Sequence, residues 1–399
     1  MKNVKKQTNL FASYYLVIFS AMGGMLPFVN NYLQVNQGFT GAQLGIFTFC
    51  TLIVSVFIVP IWGILGDRSG KYKLLLLFSL GTSIIAGFIY SIQTGYLAVI
   101  ISGIILEICR SGVVPLADVQ AVTFSTKHNG NYGFIRSMGS LGYVLGSILV
   151  GQVVSENDFS PMLTVYLILL LLAFAIAFMF PKAEKETNDE KVSDPQAPKP
   201  GLMSVIKNRH FLFICIISLM TGILMDSANG YAGIHMMNTL KGPANSAGMF
   251  TVATALPEIL LLGVIGKWFN KYGYQKIFLL NAVVLVVRYI LYVISPNIYI
   301  FLVASLVHCI ATGVATVGNL AYLKEVVADN SYGTAVTLYN ASISVGRAVY
   351  SLIFGYMLDG LGSTAIFIFA TVIMIIAAFW IYKTHTFDSI DQSLTENKA

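Results

Sequence analysis

Twelve apolar runs follow one another along this chain, at roughly 9–33, 41–66, 73–92, 96–125, 131–154, 161–181, 210–232, 245–267, 276–295, 298–323, 333–358 and 363–383. Crossing the ~30 Å of bilayer hydrocarbon takes about 20 helical residues, and each run is about that long or longer. Lipid offers no partner to a peptide N–H or C=O, so each run must satisfy its own backbone as a helix. The every-second-residue alternation of a membrane barrel is absent. Composition agrees: 56% of the 399 residues are hydrophobic and 11% charged, against roughly 25% charged in soluble domains. The expected fold is an all-α membrane protein of twelve transmembrane helices.

Basic residues set the expected orientation. Of the 24 lysines and arginines, Arg110, Arg136, Arg288 and Arg347 fall within runs, and Lys241 falls in a loop on one side. All the others lie on the opposite side, in the two ends of the chain, the even-to-odd loops and the stretch 182–209, which the positive-inside rule makes cytoplasmic. Both termini are expected in the cytoplasm of a cell (plasma or inner) membrane. The net charge of +6 follows from this topology and carries no nucleic-acid signal. The basic start "MKNVKKQTNL" reads as the lead into an uncleaved first span. Cys50, Cys109, Cys215 and Cys309 lie in apolar runs without metal-ligand or disulfide spacing. The tryptophans Trp62, Trp268 and Trp380 sit near the inner ends of spans, where interface anchoring is expected.

The charged, proline-rich stretch 182–209 reads as a linker. It divides the chain into a six-helix bundle, 1–181, a second bundle, 210–383, and a tail, 384–399. The bundles look like copies. "GILGDRSGKYK" after span two is echoed by "GVIGKWFNKYGYQK" after span eight, so that Gly63, Asp67 and Gly70 match Gly266, Asn270 and Gly273. Tyr132-Gly133 matches Tyr332-Gly333, and Glu107 and Gly112 match His308 and Gly313, all at nearly one offset. Parallel repeats of this kind build secondary transporters, with the solute between the halves.

"GILGDRSGKYK" resembles the loop motif of the major facilitator superfamily, and the resemblance covers the whole chain. It implies two six-helix bundles related by a pseudo-twofold repeat. It also implies a gating role for Gly63, Asp67, Arg68, Gly70 and Lys71, with Asp67 capping a neighbouring helix and the basic residues latching the cytoplasmic side. A narrower resemblance is to the branch containing lactose permease and other oligosaccharide/proton symporters, and to phenylpropionate-permease-like transporters. It rests on Asp118 and Arg136, eighteen residues apart, with Ser140 and Tyr143 following, and on "PEILLLG", "LVVRYIL" and "SLVHCIATG", which supply Glu258, Arg288 and His308. The resemblance implies solute contacts at Asp118, Arg136, Ser140 and Tyr143, to which Asn319 in span ten is added, and proton coupling through Glu258, Arg288 and His308. The branch's proton-carrying glutamate is replaced here by Ala311, so that residue cannot couple.

Charges inside a bilayer cost ~2.5–3.5 kcal/mol each on insertion scales and mark internal pairs or solute paths. Span four carries Glu107, Arg110 and Asp118. On an unbroken helix Glu107 and Asp118 share a face about 16 Å apart along the axis, with Arg110 and Ser111 between them. Arg110 is the expected local partner of Glu107, which ranks behind Glu258 as a proton carrier. Asp118 and Arg136 are expected to meet at similar depth, and Asp226 and Arg347 to form a structural ion pair. His235 reads as incidental, and Gly139, Gly142, Gly146 and Gly151 as a packing stripe.

The function these features point to is proton-coupled symport of a sugar or oligosaccharide by alternating access, with no cofactor and no metal, by a monomer. The rivals are import of an aromatic acid or nucleoside, with Arg136 as the donor, and drug efflux, although "GSLGYVLGSILVG" lacks the proline of efflux motifs. No H-E-x-x-H, G-x-S-x-G or phosphate-binding loop supports an enzyme.

Overall fold

The computed structural model describes residues 2–128, 130–181, 202–327, 331–384 and 386–387. Much of the linker, 182–201, and the tail beyond 387 lie outside them, as do the surroundings of Gly266 and the side chain of Asn270. Among the described residues the chain is helical, and eleven helices are long and apolar enough to cross a membrane. They are Val4–Val35, Gly41–Ser69, Tyr72–Ile92, Tyr96–Lys127, Tyr132–Val153 and Pro161–Phe178, then Arg209–Asn229, Tyr274–Ile294, Ile298–Val326, Tyr332–Leu361 and Ser363–Lys383. The eighth apolar run forms the helix Ser246–Tyr272. It is not among the eleven spans, and many of its side chains lie outside the described residues. Eleven spans are therefore counted among the described residues, against twelve apolar runs in the sequence, and the spans keep the numbers of their runs.

Two compact units emerge, Met1–Thr187 with Gly242–Val252, and Asn188–Lys241 with Ala253–Ala399. The start of the eighth helix thus groups with the first unit, where a Cβ on Gly248 would lie 2.9 Å from the carbonyl oxygen of Ser147. The same pairings recur in each unit. Span one packs on span five and span three on span six; span seven packs on span eleven and span nine on span twelve.

Local chemistry explains the helix ends. Thr40 and Gln43 form a reciprocal capping box at the start of span two. That span ends at Gly70, whose φ of 62° is left-handed and whose N–H closes onto the Gly66 carbonyl at 2.9 Å. Lys73 donates to the carbonyls of Phe178 and Phe180, at 2.8 and 2.6 Å, and so caps the open end of span six. Its role is structural as well as topological.

Several spans are not straight. Span one breaks before Pro27. Span four breaks at Ser111–Gly112, between helices Tyr96–Arg110 and Val113–Lys127. Pro115 lacks the N–H that would reach the Ser111 carbonyl, and its ring crowds that turn. The unbroken face expected for Glu107 through Asp118 is therefore interrupted. Spans seven and ten each contain a π-helical turn, Leu219–Ile223 and Val314–Gly318. The second begins immediately after Gly313, the repeat mate of Gly112, so both copies deviate at one place by different means.

Candidate functional site

In the first unit the break in span four organises the polar groups. Trp62 donates its indole N–H to the Ile108 carbonyl at 3.0 Å, and Ser79 donates to the Cys109 carbonyl at 2.6 Å. The indole lies where a side chain on Gly112 would be, since a Cβ there would come within 2.6 Å of it. Trp62 is buried. It is a packing and capping residue inside the unit rather than the interface anchor expected from its position near a span end. On one side of the break Glu107 is buried and ion-paired with Arg110, as its three-residue spacing suggested. Tyr143 lies half-buried close to the same guanidinium.

On the other side of the break, Asp118 does not meet Arg136. Its Oδ1 accepts hydrogen bonds from the hydroxyls of Tyr15 and of Tyr132, the latter at 3.1 Å. The Arg136 guanidinium lies over the Phe19 ring instead, 4.7 Å from its centroid. Among the described residues Arg136 forms no ion pair. Tyr132, one turn before Arg136 on span five, reaches Asp118 first, and Phe19 offers the guanidinium a flat π face. Arg136 and Ser140 are exposed one turn apart on the same helix. The expected direct pair is therefore a spread-out set: a carboxylate carrying two phenol donors, and an arginine resting on an aromatic plane.

In the second unit Arg288 is fully buried. Its Nε donates to the Tyr292 hydroxyl at 2.8 Å, Nη1 to His308 Nδ1 at 3.2 Å and Nη2 to Asn229 Oδ1 at 3.1 Å. The guanidinium also lies over the rings of Tyr289 and Tyr292. Arginine can only donate, so His308 Nδ1 is an acceptor and the proton sits on Nε2, which faces Thr312 Oγ1 at 3.0 Å. Arg288 and His308 are thus brought together as expected. Glu258 is not brought to them: it is half-buried, lies near Asp226, and forms no ion pair among the described residues. Ala311 is buried, which leaves no acid in the position the resemblance would fill.

Asp226 and Arg347 do pair, through Asp226 Oδ2. The pair is open, with side-chain exposures of 34% and 42%, more than a purely structural buried bridge would show. Asn319 departs from its expected role. It is buried, and its Nδ2 donates to Ser218 at 3.0 Å and to Tyr339, tying spans seven, ten and eleven together. His235 is also not incidental: it is buried, bonds Ser363 through Nδ1 at 2.9 Å and packs edge-on against Phe367.

In the last turn of span two and the residues just after it, Asp67, Arg68 and Lys71 are exposed. Asp67 accepts from Tyr72 five residues on, so here it closes its own turn instead of capping another helix. Tyr72 is held there by Gly66, where any Cβ would meet its ring at 2.6 Å. Sequence reasoning passed over Tyr15, Phe19, Tyr132, Asn229 and Tyr292. Their signal was polar or aromatic character on the same helical faces as the charges, which apolar periodicity alone does not separate from packing.

The sequence model of the MFS_1 like family matches residues 9–394. The maltose permease of Geobacillus stearothermophilus is 25% identical over 92% of this chain and 92% of its own length. The probable 3-phenylpropionic acid transporter of Escherichia coli (strain K12) is 23% identical over 92% of this chain and 96% of its own. The crystal structure of the nucleoside transporter NupG superposes with a TM-score of 0.80 over 95% of this chain and 99% of that one, at 13% identity. At that identity the likeness is one of fold.

Proposed function

This chain belongs to the MFS_1 like family and is a multi-pass membrane transporter of the major facilitator superfamily, and on that premise we propose that it carries a nucleoside-like solute, one with hydroxyl groups and a flat ring, by proton-coupled alternating access. The observation that carries the reading is the separation of Asp118 from Arg136. A sugar clamp built as a fork of arginine donors against a carboxylate needs the two within a hydrogen bond of the same hydroxyls. Here Asp118, with Tyr15 and Tyr132, is a hydroxyl-handling cluster, and Arg136 on Phe19 is a separate flat, cationic platform. A ribose suits the first and a ring carbonyl with its aromatic face suits the second. The fold shared with a nucleoside transporter is consistent with this reading. A second reading, oligosaccharide transport, is favoured by the relative named maltose permease.

Glu258 is the proposed proton carrier, with Glu107 second. The exposed charges Asp67, Arg68 and Lys71 at the end of span two are the proposed cytoplasmic gate. The lysine- and arginine-rich end then faces the cytoplasm of a plasma membrane, with both termini inside.

A thermal-stability panel of uridine, cytidine, maltose and 3-phenylpropionate on the purified protein tests the reading. A bound solute at a hundred times its Kd stabilises the folded protein by ~2.7 kcal/mol. Nucleosides are expected to stabilise the wild type, and Arg136→Ala to lose the effect. Stabilisation by maltose alone would overturn the nucleoside reading in favour of the second.

A further inference from the structure

Arg288 is a cation with no carboxylate in contact among the described residues, in the core of a unit that crosses a membrane. A buried charge persists where its donors are all taken and where it does something a neutral residue would not. Two of its contacts, to Tyr292 and His308, lead inward: Tyr292 donates a hydrogen bond to Ser305 at 2.7 Å, and His308 donates one to Thr312. The third leads outward, to Asn229.

That third contact has a consequence set by donor chemistry alone. A guanidinium N–H can bond only to an acceptor, so the atom of Asn229 facing Arg288 is the carbonyl oxygen. The amide NH2 must then point the other way. Asn229 is half-exposed and its NH2 makes no hydrogen bond among the described residues. Three residues earlier on the same span, Asp226 gives only Oδ2 to Arg347, and its Oδ1 is unengaged among the described residues. Residues three apart on a helix are neighbours on one face. The half-open face of span seven therefore presents a fixed donor beside a fixed acceptor.

The geometry points to Asn229 and Asp226 as a solute-reading edge whose sense is set by Arg288, a positioning residue. Its complement is a neutral ring edge with a carbonyl beside an N–H, as the imide edge of uracil has. Asn229 would donate to the ring carbonyl and Asp226 would accept from the ring N–H. This rests on the nucleoside reading above and names the ring edge that span seven reads.

The test exchanges the sense of the edge. Asn229→Asp keeps an acceptor toward Arg288 and replaces the outward donor by an acceptor. Without solute, its melting temperature should lie above that of the wild type, because the new carboxylate meets a buried cation; Asn229→Ala should melt lower. In binding, Asn229→Asp should lose at least tenfold in affinity for uridine while keeping cytidine, whose ring amino group suits the new acceptor although its ring N3, itself an acceptor, still faces Asp226, so the uridine-over-cytidine preference is erased. Arg288→Met should bind both with the preference narrowed, since the amide is then free to turn while Asp226 still accepts from the ring N–H of uridine.

An Asn229→Asp protein with the wild-type preference overturns the inference, as does one that melts below the wild type. A merely structural Asn229 would weaken both nucleosides equally, which also overturns it. Wild-type protein that binds neither nucleoside overturns the underlying reading as well, a distinct result from either of these.

Discussion

A backbone carbonyl left by a broken helix needs a donor, and Ile108 shows how this chain supplies one. Trp62 was legible as a tryptophan near a span end; that its N–H closes on Ile108 depended on a glycine fifty residues away in sequence, Gly112, leaving room for the ring. Asp158 is a second single-residue device, at the end of the first unit opposite the basic loops. Its Oδ1 accepts from Asn36 Nδ2 and the Ser160 N–H, each at 2.8 Å, while Asn36 Oδ1 accepts from the Phe159 N–H at 2.9 Å. The bonds from Ser160 and Asn36 hold the Asp158 carboxyl below its ordinary value. A lowered folded value contributes stability above the ordinary aspartate pKa of ~3.9 and loses it as the pH falls through the folded one. Asp158→Ala should therefore melt slightly lower than the wild type by a margin that is constant from about pH 5 to 8 and shrinks as the pH falls below the ordinary aspartate value of ~3.9. A margin that changes between the two higher values would contradict the assignment.

Helices in this chain approach one another where the sequence places small residues. The stripe of Gly139, Gly142 and Gly146 was readable as a packing face, but its partner was not. In the structure it is span one, with backbone in contact with backbone: a Cβ on Gly142 would lie 2.2 Å from the Leu16 carbonyl oxygen, and one on Gly146 only 1.9 Å from that of Ser20. Ser20 adds a hydrogen bond across the seam to the Gly142 carbonyl at 3.0 Å. Gly146→Ala should force the two helices apart at a cost of about 1–3 kcal/mol or more. Gly333→Ala makes the control. Nothing lies within 4 Å of a Cβ there, and the alanine should be neutral or stabilise by up to ~1 kcal/mol. Thermal unfolding of both variants in detergent checks the pair; equal melting temperatures would refute the close approach. The π-helical turns in spans seven and ten were invisible in the pattern, because one extra residue in a turn leaves an apolar run apolar.

At the scale of the whole transporter, the proposed coupling rests on Glu258, which stands apart from Arg288 and His308 and near Asp226. Glu258→Gln should abolish uphill solute uptake into vesicles under an imposed proton gradient while sparing solute exchange across the membrane. Unchanged uphill uptake in that variant would move the proton to another group, Glu107 being the next to test.

Length, apolar periodicity and basic loops were enough for the all-helical membrane class and the repeat, since lipid leaves the backbone few alternatives and the positive loops are read directly from the chain. They were enough too for Glu107 with Arg110, a pair three residues apart on one helix. Asp226 with Arg347, on different spans, was inferred from matched depth, and the two side chains are in contact. What only the tertiary structure decided was which of several possible neighbours each polar group takes. Tyr132 displaces Arg136 from Asp118, Phe19 receives the guanidinium, Asn319 turns into the helix contacts, and Arg288 turns toward Asn229. Depth along a span follows from residue number; the direction a side chain faces follows from helix rotation, from breaks such as the one at Ser111–Gly112, and from the residues that arrive from other spans.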